Sequence, residues 1–292
     1  MPHQIPETTL KKIRRVGKML NALAAVSPVL AGRMAFRIFC TPRRLPVRDN
    51  DRKFLSSAQN FDFQAEKLRI RGYTWRSDEA GAPEVLCLHG WESNSARWHR
   101  YVKGLQKAGF TVHAFDAPAS GYSEGKLLNV LLYSRVLKKF IAEKGVPYAV
   151  VAHSLGGAAA VMSAALLDTP RPEKMILLGV FAESSRVIRD FGDILGVNDT
   201  VIDNIHREIE RRSGMPIHEY SVAKKARLLH DVQGLVLHDR DDEVAPVAEG
   251  RLIADSWNAR YQETSGLGHR MQDQEVVEAV VKFIAHNTFD KM

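Results

Sequence analysis

Ser154 lies in the run Ala152-His153-Ser154-Leu155-Gly156-Gly157, directly after the apolar stretch Ala149-Val150-Val151 and directly before an Ala-rich stretch. A serine at such a strand-to-helix corner can be held in a tight turn that exposes its hydroxyl at the carboxyl end of a sheet, ready to act as a nucleophile. The turn brings two backbones close together, so its flanking positions must be small, and Ala152 and Gly156 are. The following helix N-terminus offers unpaired N–H groups and a positive dipole end where an oxyanion would form.

A serine nucleophile needs a base, and the base needs an orienting acid. Ser265-Gly266-Leu267-Gly268-His269 follows the last β-rich run and sets a histidine between flexible residues. We therefore assign His269 as the base; the other ten histidines fall mostly in strands or charged helices. The acid comes from Leu237-His238-Asp239-Arg240-Asp241-Asp242-Glu243-Val244-Ala245-Pro246. Three aspartates compete there. The offset from the strand end and from Pro246 favours Asp242, with Asp239 and Asp241 left as alternatives. Leu88-His89-Gly90-Trp91 ends another apolar run. Its loop can offer the Trp91 N–H to the same oxyanion as the Leu155 N–H. His89 reads as structural. Nucleophile, acid and base thus follow three different strands, in the order Ser154, Asp242, His269.

The elements that must position these groups are an alternation of strands and helices. Strands are expected at Lys67–Tyr73, Glu84–Leu88, Thr111–Phe115, Ala149–Ala152, Lys174–Val180, Gly234–His238 and Arg260–Glu263. Between most of them lie helical stretches at Ala96–Ala108, Leu127–Lys144, Gly156–Leu167 and Ala248–Trp257. Such alternation implies an α/β fold with a mostly parallel central sheet flanked by helices. A charged interval of about 181–232, too long for an ordinary connection, reads as an inserted helical cap, which should roof the pocket. Residues 1–60 read as a basic helical extension: Leu10, Ile13, Val16, Leu20 and Leu23 recur at helical spacing, and Ser27-Pro28 starts a second helix toward Phe39. The remainder, 61–292, is then the catalytic domain.

Charge is unevenly placed. Residues 1–60 hold twelve Lys/Arg and three Asp/Glu (12 − 3 = +9), so with +7 overall the rest carries −2. A basic groove for nucleic acid within the folded body is therefore not expected. Cys40 and Cys87 form neither a disulfide framework nor a metal-ligand spacing. The apolar stretch from Met19 to Ala31 is interrupted by Asn21, Ser27 and Pro28 and is too short to span a bilayer. The expected location is the cytoplasm. Peripheral membrane contact through the basic helix is the less favoured alternative to a helix that simply packs on the domain.

Taken together, His89-Gly90, Asp116-Ala117-Pro118-Ala119-Ser120-Gly121-Tyr122-Ser123, the Ser154 turn, the acid loop ending in Pro246 and Gly268-His269 resemble the α/β-hydrolase superfamily over roughly residues 64–288. Two positions depart from the family pattern: Ala152 and Asp239 stand where glycines are usual. The resemblance implies a serine hydrolase of esterase or lipase type, acting on a small-molecule acyl ester without metal or organic cofactor. Thioesterase or acyltransferase activity on the same triad, and a hydrolase-like protein that only binds, remain the alternatives.

Overall fold

The computed structural model describes residues 6–286. Its helices are α1 (Glu7–Val26), α2 (Pro28–Phe39), α3 (Asp49–Ser56), α4 (His99–Lys107), α5 (Val130–Lys144), α6 (Leu155–Leu166), α7 (Ser184–Leu195), α8 (Asp199–Ser213), α9 (Val222–Ala226), α10 (Val247–Trp257) and α11 (Gln274–Ala285). The strands are β1 (Gln59–Ala65), β2 (Leu68–Trp75), β3 (Glu84–Leu88), β4 (Thr111–Phe115), β5 (Ala149–His153), β6 (Lys174–Leu178), β7 (Gln233–Asp239) and β8 (Arg260–Thr264). They divide between two compact units. One runs from Pro42 to Ala182 and resumes at Ala223; the other joins the described residues up to Thr41 with Glu183–Val222.

The first unit holds one eight-stranded sheet in the order β1-β2-β4-β3-β5-β6-β7-β8. From β4 to β8 every pairing is parallel, while β1, β2 and β4 pair antiparallel. The central strands are apolar on both faces because helices cover both faces: all five residues of β4, β5 and β6 are buried. The sheet and α4 and α11 share one core around Trp98, Tyr101, Val102, Val112, Val151, Ile176, Leu237 and Val280. On the opposite face, ten residues of α6 are buried, and α5 is tied to it by the Ser134 hydroxyl donating to the Ala159 carbonyl at 2.9 Å. Parallel strands send their carboxyl ends to one edge, and there the loops after β3, β5, β7 and β8 gather.

Strand β1 was not expected from sequence. Phe61, Phe63 and Ala65 do alternate, but polar neighbours dilute the run, and as an edge strand only Phe63 and Ala65 become buried. The division between units also falls at Thr41, well before residue 60: α3 and β1 belong with the sheet.

The second unit is helical. Gly17 of α1 lies against the end of α7 so closely that a Cβ would sit 1.9 Å from the Leu195 carbonyl oxygen. Asn21 fastens the same contact, donating to the Gly196 carbonyl at 3.0 Å and accepting from the Asn198 N–H at 2.9 Å. The small face of α2 (Ala31, Gly32, Ala35) is buried with Phe36 and admits α8 to backbone contact at Asn204. Buried Glu208 on α8 bonds Arg211 at 2.8 Å and Arg212 at 2.6 Å, and these bonds pull its carboxyl down to about 2.

Candidate active site

Ser154 has φ 51° and ψ −121°, a left-handed backbone that is strained for a side chain with a Cβ. It joins β5 directly to α6, and glycines make the corner possible. A Cβ on Gly156 would stand 2.6 Å from both the Leu88 and His89 carbonyl oxygens. One on Gly90 would stand 3.0 Å from the Ser154 Cβ. The ends of β3 and β5 and the start of α6 are thus in backbone contact around the serine.

His269 occupies the loop after β8, and its Nδ1 is 2.8 Å from Asp242 Oδ2. Asp242 follows β7 and its side chain is wholly buried. Burial alone would raise the carboxyl. Hydrogen bonds from His238 and His269, the charge on His269 and the Ala245 N–H overcome that, holding it well below the usual carboxylate range. His238 is the weaker of the two contacts: its Nε2 gives its short bond, 2.7 Å, to the Ala245 carbonyl and lies 3.4 Å from Asp242. Asp242 Oδ1 accepts from the Val244 and Ala245 N–H groups at 2.8 and 2.9 Å.

The other two aspartates hold the histidine loop and do not touch the imidazole. Asp239 accepts from the Gly268 and Leu267 N–H groups at 2.9 and 3.2 Å and from the Thr264 hydroxyl at 2.7 Å. Asp241 accepts from the Gly266 N–H at 2.7 Å. The structure therefore brings His269 and Asp242 into a direct bond. No hydrogen bond joins the Ser154 hydroxyl to His269; such contacts commonly tighten only in the Michaelis complex.

Among the described residues, no acceptor takes the N–H of Leu155 or of Trp91. Leu155 is the first residue of α6, where helical geometry leaves the donor unpaired. The Trp91 loop is fastened one residue on: Glu92, at φ 49°, accepts from the Arg43 N–H and guanidinium at 2.9 Å. His89 is a pin between loops. Its Nδ1 donates to the Gly90 carbonyl at 2.8 Å, and its Nε2 accepts from the Ala117 N–H at 2.9 Å.

Four residues that sequence reading did not single out hold the histidine loop through its backbone. His153 Nε2 donates to the His269 carbonyl at 2.7 Å, Arg97 to that of Arg270 at 2.8 Å, and Arg100 to that of Gln272 at 2.9 Å. The Tyr101 hydroxyl donates to the Met271 carbonyl between them. Four consecutive carbonyls are thus held, past a residue, Met271, that is itself left-handed at φ 51°. Gly179, at the end of β6, is a further unforeseen neighbour: a Cβ there would stand 3.2 Å from Asp242 Oδ2 and 3.4 Å from His269 Nδ1.

Burial, with the charges of Arg97 and His269, holds His153 well below its ordinary value of 6.5, so it is neutral at neutral pH. Burial lowers His89 as well. Above pH 6.5 neither folded nor unfolded chain binds these protons. Below it the unfolded chain takes them up and the folded chain resists, so stability should fall by up to about 1.4 kcal/mol per pH unit for each histidine. Urea midpoints measured from pH 7.5 down to 5 should show this decline, and His153→Gln should make it shallower while keeping a donor toward the His269 carbonyl.

Among the described residues no group of three or more His, Cys, Asp or Glu is placed to hold a metal ion. Residues 83–204 match the family model for the alpha/beta hydrolase fold. The chain superposes on an esterase from Pyrococcus furiosus with a TM-score of 0.61 at 17% identity, covering 84% of this chain and 95% of that one. This chain has the alpha/beta hydrolase fold.

Two curated relatives add shorter likenesses. A pimeloyl-[acyl-carrier protein] methyl ester esterase from Vibrio parahaemolyticus is 45% identical over 49 residues, 17% of this chain and 18% of its own length. A serine hydrolase-like protein from Danio rerio is 29% identical over 177 residues, 58% of this chain and 52% of its own. The chain thus spans about half or less of the curated relatives it matches.

The two departures from the pattern of the superfamily that the sequence resembles have physical accounts. Ala152 is fully buried in β5, paired between Leu88 and Leu177, and its methyl is accommodated. Asp239 replaces a glycine's freedom with a carboxylate that gathers the amides of the histidine loop.

Proposed function

We propose that this protein is a serine hydrolase that cleaves a carboxylic ester through an acyl-enzyme on Ser154. The observation that carries the reading is the His269–Asp242 bond of 2.8 Å on the loops beside a serine held in left-handed backbone. A strained serine at a helix N-terminus is what nucleophilic attack needs, and a buried, ionised aspartate on Nδ1 fixes the tautomer that leaves Nε2 free to accept a proton.

In this mechanism the Ser154 oxygen bonds to the ester carbonyl carbon as its proton passes to His269 Nε2. The Leu155 and Trp91 N–H groups donate to the resulting oxyanion. His269 then protonates the departing alcohol oxygen as the carbon–oxygen bond breaks. Water, giving a proton to His269, attacks the acyl-enzyme carbonyl. As the acyl–oxygen bond to Ser154 breaks, His269 returns that proton to the Ser154 oxygen, releasing the acid and restoring both residues. No step needs a metal or organic cofactor.

Ester cleavage, as against another acyl chemistry, is favoured by the methyl ester esterase among the relatives. The test is hydrolysis of p-nitrophenyl esters over a range of acyl lengths, alongside the matching acyl thioesters. The parent should turn over at least one ester, and Ser154→Ala should lose activity by about three orders of magnitude or more. A thioester preference would keep the triad and change the substrate class. A folded parent without turnover on either series would favour a protein that binds and does not catalyse.

A further inference from the structure

We infer that the α1–α2 hairpin of the helical unit docks on the surface of an anionic phospholipid bilayer. The case rests on what these helices leave exposed. The buried side of α1 is Gly17, Leu20 and Ala24, and that of α2 is Ala31, Gly32, Ala35 and Phe36. Facing away on α1, at three- and four-residue steps, are Lys12, Arg15, Met19, Ala22 and Val26. On α2 the outward stripe is Val29, Leu30, Arg33, Met34, Arg37 and Ile38: four apolar side chains, two cations and nothing else.

Seven of the fifteen exposed large apolar side chains among the described residues fall between Val16 and Ile38. They are well exposed, with Val26 at 86% and Met19 at 69%. Scattered single apolar residues are ordinary on a surface, but a cluster of this density marks a contact face. The charge along the two helices beyond Glu7 has one sign. From Lys11 to Arg37 the chain has seven Lys/Arg and no Asp or Glu. Glu208 on α8 faces Arg33 at 3.6 Å and offsets it; Lys12, Arg15, Lys18 and Arg37 have no such partner among the described residues.

Charge selects the occupant. A second copy of this face would bring the same cations together, and a nucleic acid would gain little from the apolar side chains between them. An anionic lipid surface satisfies both features, taking the cations at the headgroups and the apolar side chains at the acyl boundary. No helix of the described residues is long and apolar enough to cross a membrane, so the contact is with the surface. The inference is independent of the catalytic reading.

The test is sedimentation of the full chain with phosphatidylglycerol–phosphatidylcholine vesicles against pure phosphatidylcholine. Deleting α1 and α2 would be uninformative, because they pack with α7 and α8. Point variants at exposed positions keep the fold, checked by thermal unfolding. The parent should bind the anionic vesicles and be released by salt. Each cation near the surface is worth about fivefold, so Lys12→Gln, Arg15→Gln and Lys18→Gln together should weaken binding about a hundredfold. Met19→Ser with Val26→Ser should weaken it at unchanged charge. No binding, or equal salt-independent binding to neutral vesicles, would overturn the proposal. So would a concentration-dependent dimer lost in Met19→Ser/Val26→Ser, or tighter binding to duplex DNA than to the vesicles.

Discussion

Asp242→Asn should lower ester turnover by about four orders of magnitude while leaving KM within a few-fold. The carboxylate accepts from His269 Nδ1 at 2.8 Å and is held ionised by its own bonds from the Val244 and Ala245 N–H groups. An amide fits the same space, but its NH2 can donate to Nδ1 and so stabilise the tautomer with the proton on Nε2. That histidine can no longer take the serine's proton. The neighbouring aspartates discriminate this account from a general loss of negative charge. Asp241→Asn, at an exposed residue, should change turnover less than tenfold. Asp239→Asn should act through the loop it holds, costing about 1–3 kcal/mol of stability, with a smaller effect on turnover. Steady-state kinetics on the three purified variants, with urea midpoints alongside, separate these outcomes. Asp239→Asn with the largest kinetic effect would move the acid to that residue.

Gly156→Ala should be among the most damaging single-methyl additions in the protein. The added carbon would meet the Leu88 and His89 carbonyl oxygens at 2.6 Å and the Leu88 carbonyl carbon at 2.9 Å. All three are backbone atoms of a fully buried strand end, so no side chain can swing aside. Either α6 must back away from β3 or the strand end must move. Overpacking of this kind costs about 1–3 kcal/mol, and either shift displaces the Leu155 N–H relative to the Trp91 loop. The expected result is a lower Tm together with a turnover loss larger than the stability loss explains, measured well below the unfolding range. Unchanged turnover in a destabilised variant would show that the oxyanion donors lie elsewhere.

How much of this was legible in sequence depends on distance along the chain. Ser154, Asp242 and His269 could be singled out because each follows a β-rich run within a few residues, and the structure does bring Asp242 and His269 into contact. The residues that steady the histidine loop could not. His153, Arg97, Tyr101 and Arg100 reach backbone carbonyls 116 to 173 residues away, and a carbonyl leaves no mark in the sequence. Gly179 likewise looks like an ordinary strand-end glycine until Asp242 and His269 are packed against it. The helical period of α1 was plain, but not its partner. Asn21 read only as an interruption of an apolar stretch, whereas it and Gly17 are where α1 meets the end of α7.

The most direct test of the central claim is reaction with a fluorophosphonate, read by intact-protein mass on the parent and on Ser154→Ala. The expected result is one phosphonyl adduct on the folded parent, mapped to the peptide carrying Ser154, and none on the variant. An adduct that persists in Ser154→Ala, or a folded parent that stays unmodified by even a short-chain reagent, would contradict an activated serine at this site.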